Sequence, residues 1–266
     1  MSDRGGQDMP GGPRDDRTWS SDVPLSTPAA IGLLETGELE VVGRVVEASN
    51  ATLYCEVTAA VLLPGGSPTV HAIYKPIRGE RPLDDFPDRT LAMREVSTWL
   101  VSEESGWSVV PPTVLRDGPA GRGMVQLWID VDQSVDILEL ILTRDERLRR
   151  IAVLDAVLNN ADRKGGHLLP TESGQIHGCD HGVCFAVEPK LRTVLWGWHG
   201  EPLTDEETSV LRRVSAALDG QLGRRLGELL DPAEVEATCR RVDRLLREGC
   251  MPMPDPYRHV IPWPPF

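Results

Sequence analysis

Lysine is nearly absent from this chain. Of its 28 basic residues three are lysines, Lys75, Lys164 and Lys190, so arginine is the default cation and each lysine invites a specific reason. A basic surplus is missing too, with a formal net charge of −13 and a pI of about 4.9. That excludes nucleic acid held on an extended basic face, because neutralising phosphates takes clustered Lys and Arg. Docking on anionic lipid through a polybasic patch is disfavoured for the same reason. The five cysteines form no CxxC pair. Their odd number, with no apolar leader at the start, leads us to expect a reducing, cytoplasmic setting rather than a disulfide framework. Long apolar runs are also lacking. The uncharged stretch 57–74 is broken by Pro64, Gly65, Gly66 and Pro68, so no membrane partner is expected.

What is present suffices for a full core in one large domain or two lobes, with 40% hydrophobic and 26% charged residues. Residues 1–28 have no hydrophobic period and read as a flexible tail. Residues 251–266 hold six of the 22 prolines, cannot be helix or central strand, and read as extended packing along a surface. The two tails together hold six of the 41 acidic and four of the 28 basic residues, so the acidic surplus belongs to the folded region.

Between the tails the pattern changes character. Short β-branched runs at 39–46 and 51–57 flank the turn 47–50, and further strands are expected at 69–75, 114–116 and 123–129. One helix interrupts them at 91–104, with Thr90 placed to cap it. From 134 onward the chain reads as helical. A short apolar segment spans 136–142, a capping box at 143–146 opens a helix 144–159, and another box at 204–207 opens one reaching about 218. Asp231-Pro232 opens a last helix, stopped by Gly249. The expected fold is therefore α+β in two lobes. A β-rich N-lobe covers 29–130, an α-rich C-lobe covers 131–250, and a hinge lies near 128–134, beside a cleft suited to ligands.

Four features along this order carry chemistry. The turn Ser49-Asn50-Ala51-Thr52 has backbone N–H groups that can cradle phosphate oxygens, though it is not glycine-rich and also fits an ordinary hairpin. Lys75 ends a strand, where a compact charge suits α- and β-phosphates. Glu95 on the 91–104 helix is placed to hold Lys75. The fourth is Asn159-Asn160-Ala161-Asp162-Arg163-Lys164-Gly165-Gly166-His167, leading through a short hairpin to Asp180-His181-Gly182. An Asp-Arg pair leaving a helix, a polar ligand five residues on, then Asp-x-Gly offers a base-position carboxylate and metal ligands. Phosphoryl transfer asks for little more than that and positioning.

In this order the chain resembles the protein-kinase-like superfamily over about residues 35–220. The Asn-x-Asp-Arg form with Asp-His-Gly is similar to the phosphatidylinositol 3-/4-kinase-related group, and within it to an actinobacterial branch. The resemblance implies ATP and a divalent metal, Mg or Mn, as cofactors. It implies that Lys75 contacts phosphates, Glu95 holds it, Asp162 with Arg163 forms the catalytic pair, Asp180 ligates metal, and Gln126 to Ile129, Trp128 included, presents backbone groups to adenine. His167 falls at the second metal position, where the superfamily usually has Asn. Imidazole suits Mn, Zn or Fe better than Mg.

The partner implied is ATP with a soluble acceptor hydroxyl, on a small molecule or on a protein with a basic face. Oligomeric state is unreadable, and AMP transfer would use the same pocket parts. Two rivals stand beside this reading: a nucleotide-binding pseudokinase, and a metal-dependent hydrolase built on His167, His177, Asp180 and His181. Trp196 and Trp198 fit core packing slightly better than a substrate site. Cys179 and Cys184 read as inert buried thiols, and Lys164 either meets the transferred phosphate or faces solvent.

Overall fold

In the computed structural model, residues 26–45, 50–60 and 68–266 are described. The first described element is one that periodicity did not show: helix α1 (Thr27–Thr36), opened by a proline in its first turn. It takes over the end of the expected N-terminal tail. Strands β1 (Glu38–Arg44), β2 (Leu53–Thr58) and β3 (Thr69–Pro76) follow, then helix α2 (Leu91–Ser105) and strands β4 (Thr113–Gly118) and β5 (Gly121–Leu127). The strands form one antiparallel sheet in the order β1-β2-β3-β5-β4.

Burial alternates strictly along β3, as a sheet covered differently on its two faces requires. Val70, Ala72 and Tyr74 pack with Cys55, Val57 and Val125 against Leu33 and Leu34 of α1. On the other face Met124 is fully buried against Ala92 and Val96 of α2. Lys75 stands opposite Met124 in the β3–β5 register and so belongs to this second face.

The second half contains α3 (Ile137–Thr143), α4 (Glu146–Leu158), the hairpin β6 (Leu168–Pro170) and β7 (Ile176–Gly178), then α5 (Asp205–Leu218), α6 (Gln221–Gly227) and α7 (Pro232–Glu248). Leu148, Ile151, Leu154 and Leu158 put one side of α4 into the core, where Val214 of α5 and Val242 of α7 meet it. Trp99 and Leu100 of α2 join the same cluster. So α2 touches the sheet with one stretch and the helical core with another, which couples the two lobes mechanically. The chain thus adopts the α+β, two-lobed, kinase-like architecture expected from its sequence.

Several caps differ from expectation. Thr90 donates to Pro87 O instead of capping α2. The orphan N–H groups of Leu91 and Ala92 are taken by the carboxylate of Glu80, eleven and twelve residues upstream. Thr143 closes α3 rather than opening α4, whose cap is Asp145 accepting from Arg147 N. The box at Thr204–Glu207, the Asp231 cap followed by Pro232 and the left-handed Gly249 stop stand where expected, and Glu234 completes a further box with Asp231.

The proline-rich segment 251–266 runs as non-helical chain across the C-lobe. Val260 O accepts from Thr193 N at 3.0 Å and from Trp196 Nε1 at 2.8 Å, and Pro265 O accepts from Gly165 N at 2.8 Å. No helix among the described residues is long and apolar enough to cross a membrane.

Candidate active site

The site is assembled by three elements that bring charge to one point. Lys75 Nζ, at the end of β3, donates at 2.7 Å to Glu95 Oε1 on α2 and at 2.7 Å to Asp180 Oδ1 from the C-lobe. Burial opposes the ammonium charge, but the Asp180 and Glu95 carboxylates outweigh it and raise the Lys75 pKa above its ordinary value. Lys75 in turn holds Asp180 well below the usual carboxylate range. Asp180 sits in the left-handed region at φ 58°, unusual for a residue with a side chain, and its carboxylate remains half-exposed. The second oxygen of Glu95 accepts from the backbone N–H of His181 at 2.8 Å. Glu95 is almost completely buried between these two donors.

Beneath this triangle lies the 159–167 loop. Asn159 ends α4 in left-handed geometry and uses its side-chain amide to donate to Ala186 O and Glu188 O. Asn160 donates to Asp155 and accepts from Asp162 N at 3.0 Å, fixing the turn that presents Asp162. The Asp162 carboxyl is one-third exposed, with Lys164 Nζ 3.4 Å away. Burial raises its pKa against the pull of Lys164. Lys164, for which the sequence left the transferred phosphate or solvent open, meets the Asp162 carboxylate.

Arg163 requires a correction. Its side chain is fully buried and pairs with Asp155, which is also fully buried, at 2.9 Å. It also donates to Cys179 O and to His181 Nε2. No part of it can touch a phosphate, so it positions the loop and the Asp180 turn and is not a catalytic group. Because an arginine can only donate, His181 Nε2 must accept, and the neutral ring carries its proton on Nδ1. Burial and the Arg163 charge keep the His181 pKa well below its ordinary value.

The other expected residues divide. Ser49 lies outside the described residues. Asn50 spends its side-chain oxygen on Arg81 N at 2.8 Å, which leaves that atom serving the turn and not a phosphate. The Gln126 side chain is buried and donates to Thr113 Oγ1. The backbone N–H groups of Leu127 and Trp128 donate to Pro112 O and His71 O, so neither is open to a base. The Trp128 ring instead meets Tyr54 edge-on at 5.0 Å, and Tyr54 stacks on His71 at 5.2 Å. Sequence reasoning missed this aromatic group; by strand alternation it shares the sheet face of Lys75.

Among the described residues no group of three His, Cys, Asp or Glu side chains is arranged to hold an ion. His167 Nε2 lies 3.5 Å from Asp180 Oδ2, but its Nδ1 accepts from Lys164 N. The neutral ring therefore carries its proton on the nitrogen facing Asp180, and ligation through that nitrogen needs the other tautomer. His167 is a second-position donor to Asp180 in this arrangement, not a formed ligand. The half-exposed Asp180 and the partly exposed Asp162 bring hard carboxylate oxygens to the cleft, which fits a cation that arrives with polyphosphate and not a protein-only centre. The hydrolase reading falls with this: His181 is spent on Arg163, and His177 Nδ1 faces Ser108 O at 3.0 Å. Trp198 is core, and burial pushes the Cys179 thiol up to about 12.

An ion-paired lysine on a five-stranded antiparallel sheet, a helix glutamate bridging it to an Asp-x-Gly turn, and an aspartate on the 159–167 loop are the positions on which the sequence resemblance to the protein-kinase-like superfamily rests. The chain is 44% identical over 269 residues to protein Rv2133c of Mycobacterium tuberculosis, covering 88% of this chain and 94% of that one, and it belongs to that protein's family. It is also 29% identical over 187 residues to phosphatidylinositol 4-kinase gamma 4 of Arabidopsis thaliana, and 28% over 184 residues to the Oryza sativa protein of that name. The chain spans about a third of the length of these plant relatives. No family model matches it. Among solved structures, the Helicobacter pylori proinflammatory kinase CtkA is similar with a TM-score of 0.48 at 12% identity, over 82% of this chain and 94% of that one.

Proposed function

We propose that the chain is an ATP-dependent phosphotransferase that moves the γ-phosphoryl group to a hydroxyl of a soluble acceptor. One observation carries the reading. Glu95 fixes Lys75 with one oxygen and the backbone beside Asp180 with the other, so the phosphate-facing cation and the metal-facing carboxylate are set by one buried group. The plant relatives are lipid kinases by name, which supports phosphoryl transfer as the chemistry of such a site.

In the reaction, Lys75 holds the phosphates and Asp180, the candidate ligand, faces them. A divalent cation, Mg or Mn, supplies positive charge to the phosphate oxygens when bound there. Asp162 orients the acceptor hydroxyl. The hydroxyl oxygen forms its bond to the γ-phosphorus, the bond to the β–γ bridging oxygen breaks, ADP leaves, and the hydroxyl proton passes to the Asp162 carboxylate. Burial raises the Asp162 pKa, which makes that carboxylate a better proton acceptor than a solvated one. The Tyr54, His71 and Trp128 rings offer an apolar surface to the base.

The test is calorimetry with ATP and Mg or Mn on wild type, Lys75→Ala, Asp180→Ala and Asp162→Asn. The reading expects binding in wild type, loss in the first two, and binding without turnover in the last. No ATP binding by wild type under either metal overturns it. Binding with no turnover on any acceptor favours the pseudokinase alternative.

A further inference from the structure

The net charge of −13 conceals a basic groove. A cavity of about 1280 Å³ lies between α7, the chain 187–196 that follows the Asp180 turn, and the segment 252–260, away from the cleft holding Lys75. Seven Lys and Arg side chains line it against two aspartates, a quarter of the cations in the chain gathered on one surface of an acidic protein. Arg240, Arg244 and Arg247 recur at helical spacing along the exposed face of α7, a row spanning about 10 Å. Three of the seven are already ion-paired: Lys190 with Asp85, Arg240 with Glu236 and Arg258 with Asp255. Among the described residues no carboxylate lies within ion-pair distance of Arg192, Arg244 or Arg247. The floor contains Arg241, nine-tenths buried and held by Val157 O and Ala186 O.

One wall of the groove runs beside the 159–167 loop. Arg192 N donates to Asn160 O, and Arg192 O accepts from Arg163 N, so this lining residue runs beside the Asp162 loop. Its charge also reaches the Asp162 carboxyl.

We propose that this groove holds an acidic stretch of the acceptor polypeptide, delivering a Ser or Thr flanked by Asp and Glu to Asp162. The inference rests on the phosphotransferase reading for what is done to that hydroxyl, but not for the binding itself. It replaces the expectation of a basic acceptor drawn from net charge. Same-side residues of an extended chain recur about every 7 Å, a spacing that an arginine row on a helix can follow. Trp196, Met253 and Val260 add apolar surface to the same lining, which suits a polypeptide better than a sugar-phosphate backbone. The acidic remainder of the molecule also repels nucleic acid and anionic bilayers beyond the groove.

The test measures fluorescence anisotropy of a labelled peptide with one serine among glutamates, on the full chain. The comparison set is its lysine counterpart, single-stranded RNA, phosphatidylcholine vesicles containing phosphatidylserine and phosphatidylinositol, and inorganic phosphate as competitor. The acidic peptide should bind and the lysine peptide should not. Affinity should fall about tenfold or more in Arg244→Glu/Arg247→Glu and again in Arg192→Gln, and should weaken with salt. Calorimetric ATP binding should be the same in the α7 variant as in wild type, since neither arginine lies in the cleft. A chain that binds ATP but not the acidic peptide overturns the groove proposal alone. Preference for RNA or vesicles overturns it, as does insensitivity to both variants, or full displacement by phosphate at equal concentration. Peptide binding without phosphoryl transfer supports the groove and counts against the phosphotransferase reading.

Discussion

The backbone N–H of His181 donates to Glu95 Oε2 at 2.8 Å, joining the helix of the β-rich lobe to the Asp-x-Gly turn of the other. The opposite oxygen of the same carboxylate takes Lys75. Glu95 therefore registers the two lobes as well as orienting a lysine. Glu95→Gln keeps the shape and one acceptor but removes the charge facing Lys75, at a cost of ~1.5–3 kcal/mol for a charge-assisted bond. The expected result is a rise in the ATP dissociation constant of about 10- to 100-fold with the fold retained, read by calorimetry. An unchanged constant would mean that Lys75 takes its position from Asp180 alone.

Arg163 and Asp155 form a second, wholly buried pair whose work is structural. Removing either partner leaves an uncompensated charge in the core, so Arg163→Ala or Asp155→Ala should each lower unfolding free energy by ~3–5 kcal/mol. The double variant should cost less than the two singles added together, because no lone charge remains. Urea titration of all three decides it. Additive losses would show that the two side chains act independently.

What the sequence made legible follows from distance along the chain. Alternation at 69–75 and the α4 stripe Leu148, Ile151, Leu154 and Leu158 are local patterns, and both elements form where those patterns lie. Lys75, Glu95, Asp162 and Asp180 were found by residue type and order. What one carboxylate of Glu95 does for two lobes was invisible, since its partners lie 20 and 86 residues away. Arg163 misled because adjacency to Asp162 says nothing about which way a side chain turns at a loop. The cap from Glu80 to α2 crosses a loop, and the α7 arginines look like an ordinary solvated face until 187–196 and 252–260 fold beside them.

Acid should destabilise the protein earlier than its carboxylates alone predict. Burial and the Arg163 charge depress the His181 pKa, and burial brings His167 from 6.5 to about 4 despite Asp180 nearby. Below 6.5 the unfolded chain takes up protons that the folded chain refuses, so stability present above that pH is lost as pH falls toward 4. For His167 alone the full span corresponds to ~3 kcal/mol. Asp180 acts lower: its pKa is depressed by Lys75, so its contribution is held above 3.8 and lost only as pH falls below that value. Urea midpoints taken from about pH 8 down to about pH 4.5 should be level and then decline through the histidine range. A flat profile down to pH 5 would refute the neutral, buried assignment of these rings.

The segment after α7 should control the 159–167 loop from behind. Pro265 O accepts from Gly165 N, and the Phe266 ring lies where a side chain on residue 165 would project. Gly165 sits between Lys164, which meets Asp162, and His167, which faces Asp180, so a displaced residue 165 moves both neighbours. Gly165→Ala cannot coexist with the present ring position and should expel residues 265–266 while leaving the C-lobe core intact. Deleting residues 261–266 should have the same local effect without adding a methyl group. In both variants amide exchange at residue 165 should accelerate, because its acceptor is gone, while amides of α4 and α7 stay protected. Turnover should fall in step with that exchange and ATP affinity should change little, since Lys75, Glu95 and Asp180 keep one another. If the deletion exchanges no faster at Gly165 than wild type, the loop holds its own shape and the C-terminal segment is merely seated on it.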